Sequence, residues 1–128
     1  LRQCEGVFDL ILVDAPCSGS GTLRKHPELT WLGGRLDQTR LADNQRAILE
    51  AALPRLAHGG LLIYAVYSWL PEEGLEHRQW IHEAHPELEP AELWPTTLGT
   101  SDDQGFFFRP DPIAWKGEGF QAFGFIHH

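Results

Sequence analysis

The stretch VFDLILVDAPCSGSGT, residues 7–22, decides the fold, because an apolar run leads directly into an acid, a Pro-Cys pair and a glycine-rich loop. Its first seven residues are almost continuously apolar, which is typical of a strand buried on both faces of a parallel sheet. In open α/β sheets, ligands bind outside the carboxyl ends of such strands. We therefore predict that Asp14 and the loop after it belong to a binding site.

A second strand is predicted at GGLLIYA, residues 59–65, and a helix lies between the two. The helix is indicated by residues that recur at helical spacing and by a Gly-Gly pair that ends the pattern: Leu41, Gln45, Ile48, Leu49, Ala52, Leu53, Leu56 and Gly59-Gly60. Strand, helix and strand in this order predict a βαβ crossover with parallel strands.

A second helix is predicted from Pro71 to about His85, because proline is tolerated in a first helical turn. Glu72 and Glu73 follow it, where acidic side chains favour the positive end of the helix dipole. Segment 93–103 is predicted to be a flexible loop.

Two aromatic segments, 105–109 and 120–126, predict an antiparallel hairpin that closes the sheet. The fold class is therefore α/β, with parallel strands and a closing antiparallel hairpin. The first strand is left at an exposed edge, so we expect self-association or a further structural unit there.

The bulk composition fits one domain, since the chain has 128 residues, 42% hydrophobic residues and a net charge of −8. No apolar run approaches the roughly 20 residues of a membrane span, and we expect a cytoplasmic protein. Residues 71–128 hold eleven acidic and three basic side chains, whereas residues 1–70 are balanced. The cations near Arg24 and Lys25 either flank a polyanion or form a solvated face.

Several familiar sites are excluded by the motifs. No Gly-Lys-Ser/Thr follows Gly21, and GxGxxG and the G-x-S-x-G elbow are missing, which argues against a phosphate loop and an α/β-hydrolase. The histidines lack thiolates or carboxylates at metal-ligand spacing, so no metal site is predicted. Cys17 lies just past a strand end, where a thiol is placed for exposure, although an inert cysteine remains an alternative.

Three segments carry a resemblance to a known family: FDLILVDAPCSGSGTLRKHPELTW, GGLLIYAVYSWLPEE and GEGFQAF. Together they resemble the C-terminal half of the catalytic domain of the Sun/Fmu family of RNA cytosine-5 methyltransferases. The resemblance implies a Rossmann-like domain that uses S-adenosylmethionine to methylate a cytosine of ribosomal or related RNA. It also implies that residues 1–128 are a partial catalytic domain, because the family's cofactor-binding half would lie upstream.

The resemblance also implies roles for individual residues. Asp14 matches an acid that faces the cofactor's methyl group and the target base, and Pro16 shapes the wall of the base pocket. Cys17 matches a cysteine that assists release of the methylated product. The family's Thr-Cys-Ser triplet reads Val-Tyr-Ser at residues 66–68, so Tyr67 occupies the nucleophile position. We expect Arg24 and Lys25 to contact RNA phosphate at the rim.

Loss of the nucleophile leaves three functions open. The chain is a fragment or divergent member of the methyltransferase family, inactive alone. It is otherwise a non-catalytic module that binds RNA or a partner, or a methyltransferase with another acceptor. Transfer to nitrogen or oxygen needs no thiolate, whereas transfer to cytosine C5 does.

Overall fold

The computed structural model describes residues 5–28, 38–93, 100–102, 105–108 and 117–128. Its strands are β1 Phe8–Asp14, β2 Leu56–Val66, β3 Leu88–Pro90, β4 Thr100–Asp102, β5 Gly105–Phe108 and β6 Gln121–His127. Its helices are α1 Gln38–Ala52 and α2 Leu75–Ala84. Short 3₁₀ turns cover Ser20–Thr22, Leu53–Arg55 and Pro71–Glu73.

One mixed sheet organises the described residues, in the order β1-β2-β6-β5-β4, with β3 also paired to β6. Strands β1 and β2 are parallel, and β6 is antiparallel to β2, β3 and β5. The predicted βαβ crossover and the predicted antiparallel pairing of the last two aromatic strands are thereby confirmed.

Helix α1 is shorter than the sequence pattern predicted. It ends at Ala52, and Leu56 already begins β2. The reason is Pro54, which lacks a backbone N–H and occupies the 3₁₀ turn after the helix. The pairing then shifts between Phe8 with Leu56 and Leu10 with Leu61. Residues 57–60 take up the extra length, with Gly59 in the left-handed region at φ 76°.

The prediction that β1 is buried on both faces is wrong within the described chain. Val13 is 6% exposed, but Leu10 and Leu12 are 59% and 64% exposed. Alternation of side chains along a strand explains this difference, because only one face of β1 packs on the core. As predicted, β1 lies at the edge of the sheet.

The predicted flexible loop at residues 93–103 is also partly wrong, because Thr100–Asp102 form β4 and pair with β5. Asp102 accepts hydrogen bonds from both terminal nitrogens of Arg78, a side chain of α2 that is 1% exposed. This bidentate pair ties β4 to α2. Residues 94–99, residue 103 and the predicted strand end at Arg109 lie outside the described residues.

The core lies between the helices and the inner face of the sheet. Its most buried apolar side chains are Leu49, Ala52, Leu56, Leu62, Tyr64, Val66, Ile81, Phe123 and Phe125. Among the described helices, neither is long and apolar enough to cross a membrane.

Candidate functional site

Two loops meet at the carboxyl ends of β1 and β2. Asp14 is the register partner of Ala65, and the Ala15 N–H donates to the Ala65 carbonyl at 3.2 Å. Because the strands are parallel, their following loops leave the same edge of the sheet. Residues 15–22 and 67–70 therefore lie side by side, which is where α/β sheets place their ligands.

Cys17 lies between these loops and its side chain is half-buried. Burial raises the pKa of the thiol; the backbone N–H groups of Gly19 and Tyr67 lower it, and the charges of Glu73 and Asp14 raise it again. The net shift is upward, so the group is a protonated thiol at neutral pH. A protonated thiol is a weak nucleophile, because the thiolate is the reactive form.

Tyr67 stands where the resemblance places the nucleophile, and its backbone N–H is directed at the Cys17 thiol. Its carbonyl accepts a hydrogen bond from the Gly21 N–H at 3.1 Å. The residue is 43% exposed, and its ring meets Phe120 edge-on at 5.2 Å between centroids. Positions 17 and 67 are thus adjacent, but position 67 carries a phenol instead of a thiol.

Glu73 is fully buried, and its side chain hydrogen-bonds to both loops. Its carboxylate accepts from the Ser18 N–H at 2.8 Å, the Ser18 hydroxyl at 2.6 Å and the Gln45 amide at 3.1 Å. The Ser68 hydroxyl donates to its second oxygen in a short hydrogen bond. A buried charge is tolerated when donors surround it, so this carboxylate holds Ser18, Ser68 and α1 in one arrangement.

Further hydrogen bonds hold the loop after β2. The Trp69 N–H donates to the Ser20 hydroxyl at 2.9 Å. The side-chain amide of Gln121, which is fully buried, donates to the carbonyls of Ser68 and Leu70 at 2.8 Å each. The loop is therefore fixed by both of its neighbours, the β1 loop and strand β6.

Gly21 and Gly119 allow three segments to pass close to one another near Tyr67: the loop after β1, the loop after β2 and the segment before β6. The Gly119 N–H donates to the Gly21 carbonyl at 2.6 Å. A Cβ atom on Gly21 would lie 1.8 Å from the Gly119 carbonyl oxygen, and one on Gly119 would lie 2.2 Å from the Trp69 ring. Only glycine fits at either position, which fixes the segment before Phe120 against the β1 loop.

Asp14 and Pro16 are exposed at the same edge. The Pro16 carbonyl accepts from the Gln45 side chain at 2.9 Å, so helix α1 supports this loop from the inner side. Asp14 is close enough to Cys17 to raise the pKa of its thiol. The structure therefore brings Asp14, Pro16, Cys17 and Tyr67 to the same edge of the sheet.

Arg24 and Lys25 follow the turn Ser20–Thr22 and are exposed. Lys25 Nζ pairs with Glu118 Oε1 at 2.5 Å, and the Lys25 side chain remains 69% exposed. Lys25 also lies within electrostatic reach of Tyr67. Glu118 therefore competes with any anion for Lys25.

The buried residues that hold the loops were missed by the sequence analysis. Glu73 was assigned to the helix dipole, yet its side chain points inward to Ser18 and Ser68. His77 is also buried and shares a hydrogen bond of 3.1 Å with the Gln45 amide oxygen, and burial lowers its pKa to about 4. A Ser in each loop and an acid after Pro71 were the available signals, but neither predicts a long-range contact.

Over the part of the chain that the structure describes, no group of three metal-ligating side chains converges.

Comparison with known proteins agrees with this geometry. The family described as 16S rRNA methyltransferase RsmB/F matches residues 2–122. Ribosomal RNA small subunit methyltransferase B of Yersinia pseudotuberculosis is 41% identical over 108 residues, which cover 79% of this chain and 25% of that protein. The Yersinia pestis protein of the same name gives the same values. The chain thus spans about a quarter of the length of the curated relatives it matches.

Solved structures show the same fold. "Crystal Structure of PH0851" superposes with a TM-score of 0.82 at 30% identity, covering 95% of this chain and 27% of that chain. A methyltransferase homolog from Pyrococcus horikoshii gives 0.72 at 26% identity, covering 96% and 40%. NSun6 from Pyrococcus horikoshii with SFG gives 0.73 at 25% identity, covering 91% and 29%. The fold is a fragment of a Rossmann-like methyltransferase domain, and the chain belongs to the RsmB/F family of 16S rRNA methyltransferases.

Proposed function

We propose that this chain is the base-binding half of a divergent member of the enzymes that methylate C5 of a cytosine in ribosomal RNA with S-adenosylmethionine, a member in which Tyr67 has replaced the nucleophilic cysteine. One observation supports this most strongly: the Ala15 N–H bonds to the Ala65 carbonyl at 3.2 Å and the Gly21 N–H to the Tyr67 carbonyl at 3.1 Å, so the loops that carry the family's two cysteine positions, 17 and 67, lie side by side. The Glu73 network fixes that adjacency within the chain.

The chemistry of C5 methylation explains why two strand-end groups are needed. Cytosine C5 is a weak nucleophile, so a thiolate must first add to C6 and make C5 enamine-like. After C5 has taken the methyl group, a base removes the C5 proton and the C6–S bond breaks, which restores the aromatic ring and the thiolate. The target base must also be unpaired or flipped out to reach the site.

In this scheme Asp14 holds the target base near the methyl donor, and Pro16 forms a wall of the base pocket. Cys17, which is half-buried at the end of β1, is assigned the assistance of product release that the family resemblance implies. Tyr67 occupies the nucleophile position, and a phenol is a poor substitute for a thiolate in addition to C6. The chain as given is therefore inactive in C5 transfer.

The described residues do not by themselves form a complete cofactor site. Asp14 is the exposed acid at the carboxyl end of β1, and we assign to it the cofactor contact that this chain contributes. S-adenosylmethionine supplies the methyl group when it is bound. The solved relative with SFG, an analogue of this cofactor, supports the assignment. We expect the isolated chain to bind the cofactor weakly or not at all.

The alternative function is a binding module for RNA that keeps the fold without the transfer reaction. The phenol at position 67 favours it, because the described loops are otherwise intact. A methyltransferase with a nitrogen or oxygen acceptor is the third alternative. Ribosomal RNA as the partner would in each case place the protein in the cytoplasm.

A chimaera separates these functions. The matched segment of the Yersinia pseudotuberculosis relative is replaced by this chain, and 5-methylcytosine in 16S rRNA is measured by mass spectrometry. We expect none with Tyr67, 5-methylcytosine with Tyr67→Cys, and none with the matched control Tyr67→Ser. Absence of product from Tyr67→Cys would overturn the proposed function. Product from the Tyr67 protein that Cys17→Ala abolishes would show that Cys17 is the nucleophile.

The proposed phosphate contact is tested separately. Charge reversal of Arg24 and Lys25 in the chimaera should weaken RNA binding and flatten its salt dependence, because fewer counterions are released. An unchanged salt slope would show that both are ordinary surface cations.

A further inference from the structure

Tyr67 combines exposure with a rigid backbone. The residue is 43% exposed, yet its N–H is directed at Cys17 and its carbonyl is bound by Gly21. The next residue, Ser68, is buried and bonded to Glu73. The ring therefore projects from a backbone that is fixed on both sides, and little conformational entropy is lost when a ligand packs on it.

An aromatic neighbour supports the ring from one side. Phe120 meets Tyr67 edge-on at 5.2 Å, and Phe108 lies 5.8 Å from Phe120. Phe120 is held in place because Gly119 bonds to Gly21 and Gln121 bonds to Ser68. An edge contact leaves a face of the Tyr67 ring available to a flat ligand.

The charge beside the ring favours a ligand that carries phosphate. Lys25 lies within electrostatic reach of Tyr67 and is 69% exposed. Its partner Glu118 adjoins the Gly119 crossing, so a phosphate can exchange with this surface ion pair at little cost. An exposed aromatic ring next to a cation is the combination that single-stranded nucleic-acid sites use.

We propose that Tyr67, backed by Phe120, is a stacking platform for one unpaired nucleobase of RNA. This inference rests on the proposed function for the identity of the ligand as RNA. The base stacks on the Tyr67 ring, and no covalent bond forms. Substitution at the nucleophile position has thus replaced covalent capture of a base with non-covalent binding.

Binding of a fluorescein-labelled single-stranded oligocytidine RNA to the 128-residue chain tests the platform by anisotropy. We expect Tyr67→Ala to weaken binding about tenfold, the loss typical of one stacked base, and Tyr67→Phe to retain it. Tyr67→Leu keeps apolar bulk without the ring and should weaken binding similarly. Phe8→Ala is the matched control, because Phe8 is an exposed aromatic at the far end of β1 and should have no effect.

An RNA of the same length with abasic sites keeps the phosphates and lacks the bases. The abasic RNA should bind the original chain about as weakly as the normal RNA binds Tyr67→Ala. It should bind the Tyr67→Ala variant no more weakly than it binds the original chain. Equal RNA affinity for Tyr67 and Tyr67→Ala, or no RNA binding by the original chain, would overturn the platform. Full displacement of the RNA by S-adenosylhomocysteine would overturn it too, since the ring would then hold the cofactor's adenine.

Failure of the platform and failure of the proposed function give different results. If Tyr67→Ala binds RNA normally but the Tyr67→Cys chimaera makes 5-methylcytosine, the platform alone is wrong. If Tyr67→Ala loses binding but the Tyr67→Cys chimaera makes no 5-methylcytosine, the C5 reaction is wrong and the platform stands. Circular dichroism of each variant verifies that an exposed substitution has left the fold intact.

Discussion

Strands β1 and β6 flank the same strand, β2, but the side chains of β6 are buried whereas one face of β1 is exposed. On one side, residues 121–125 of β6 are all buried. On the other side, Leu10 and Leu12 of β1 are 59% and 64% exposed. Within the described residues, the chain therefore completes its sheet toward β6, whereas β1 has no strand partner on its outer side and one of its faces exposes apolar side chains.

The loops that follow β1 and β2 are held in place by hydrogen bonds from within this chain. Glu73, Ser18 and Ser68 are all within this chain, and so is Gln121, which binds the loop from β6. A site whose hydrogen bonds are all internal can be pre-organised even when one edge of the sheet is open. The comparison predicts large effects at the buried loops and smaller ones at the open edge.

The largest effect is expected for Glu73→Ala. Removing the carboxylate leaves several buried donors without an acceptor, which should lower the free energy of unfolding by about 4 kcal/mol. Urea denaturation measures this change. The control is Glu72→Ala, because Glu72 is the exposed neighbour in the same turn and should change stability by less than about 0.5 kcal/mol. Equal effects of the two would contradict the network.

The pH dependence of stability should report on His77. Its folded pKa is lowered to about 4 by burial and by Arg46, against about 6.5 when unfolded. The unfolded state then binds more protons between these values, so stability is lost as pH falls from 6.5 to 4, by about 3 kcal/mol. Urea denaturation across this range should show a weaker acid dependence in His77→Gln, and an unchanged one would refute the assignment.

A smaller loss of stability is expected for a substitution at the close contact between Gly21 and Gly119. Gly21→Ala places a Cβ 1.8 Å from the Gly119 carbonyl oxygen and should destabilise the fold by about 2 kcal/mol. Gly6→Ala is the comparison, because Gly6 has open space around it and a φ of 109°. It should cost about 1 kcal/mol through backbone strain alone. Thermal unfolding of both separates crowding from strain, and a harmless Gly21→Ala would contradict the close crossing.

The smallest effect is expected at the open edge. If two chains pair through β1, Leu12→Lys should weaken self-association about tenfold, since a charge replaces a buried leucine in the dimer. Leu23→Lys is the control, because Leu23 is exposed but lies outside the strand. Sedimentation equilibrium measures both. A chain that stays monomeric at high concentration before any substitution would show that the edge does not self-associate.

Local patterns were enough to predict strands β1, β2, β5 and β6. An apolar run followed by DAPCSG predicted Asp14 and Cys17 at a strand end, and the family resemblance, rather than a local pattern, identified Tyr67 at the end of the next strand. Both positions depend on strand direction, which periodicity and the βαβ rule determine. The predicted helix α1 was too long, because Pro54 ends the helix although the apolar spacing continues to Leu56.

The long-range contacts could not be predicted in the same way. Glu73 lies 55 residues from Ser18, and an acid after a proline looks like a helix start in any local window. Strand β4 was missed because its three residues have no alternating apolar pattern. Exposure of one face of β1 depends on what packs there, which the strand's own sequence does not encode.

The most direct test of the account is covalent trapping on an RNA that contains 5-fluorocytosine, with S-adenosylmethionine present. Fluorine replaces the C5 hydrogen, so after methyl transfer no proton can leave C5, the C6–S bond does not break, and an enzyme that has added a thiolate to C6 stays attached to the RNA. In the chimaera with the Yersinia pseudotuberculosis relative, we predict no adduct with Tyr67 and an adduct with Tyr67→Cys, seen as a shifted band on a denaturing gel. An adduct formed by the Tyr67 protein and abolished by Cys17→Ala would contradict the claim that this site has lost its nucleophile.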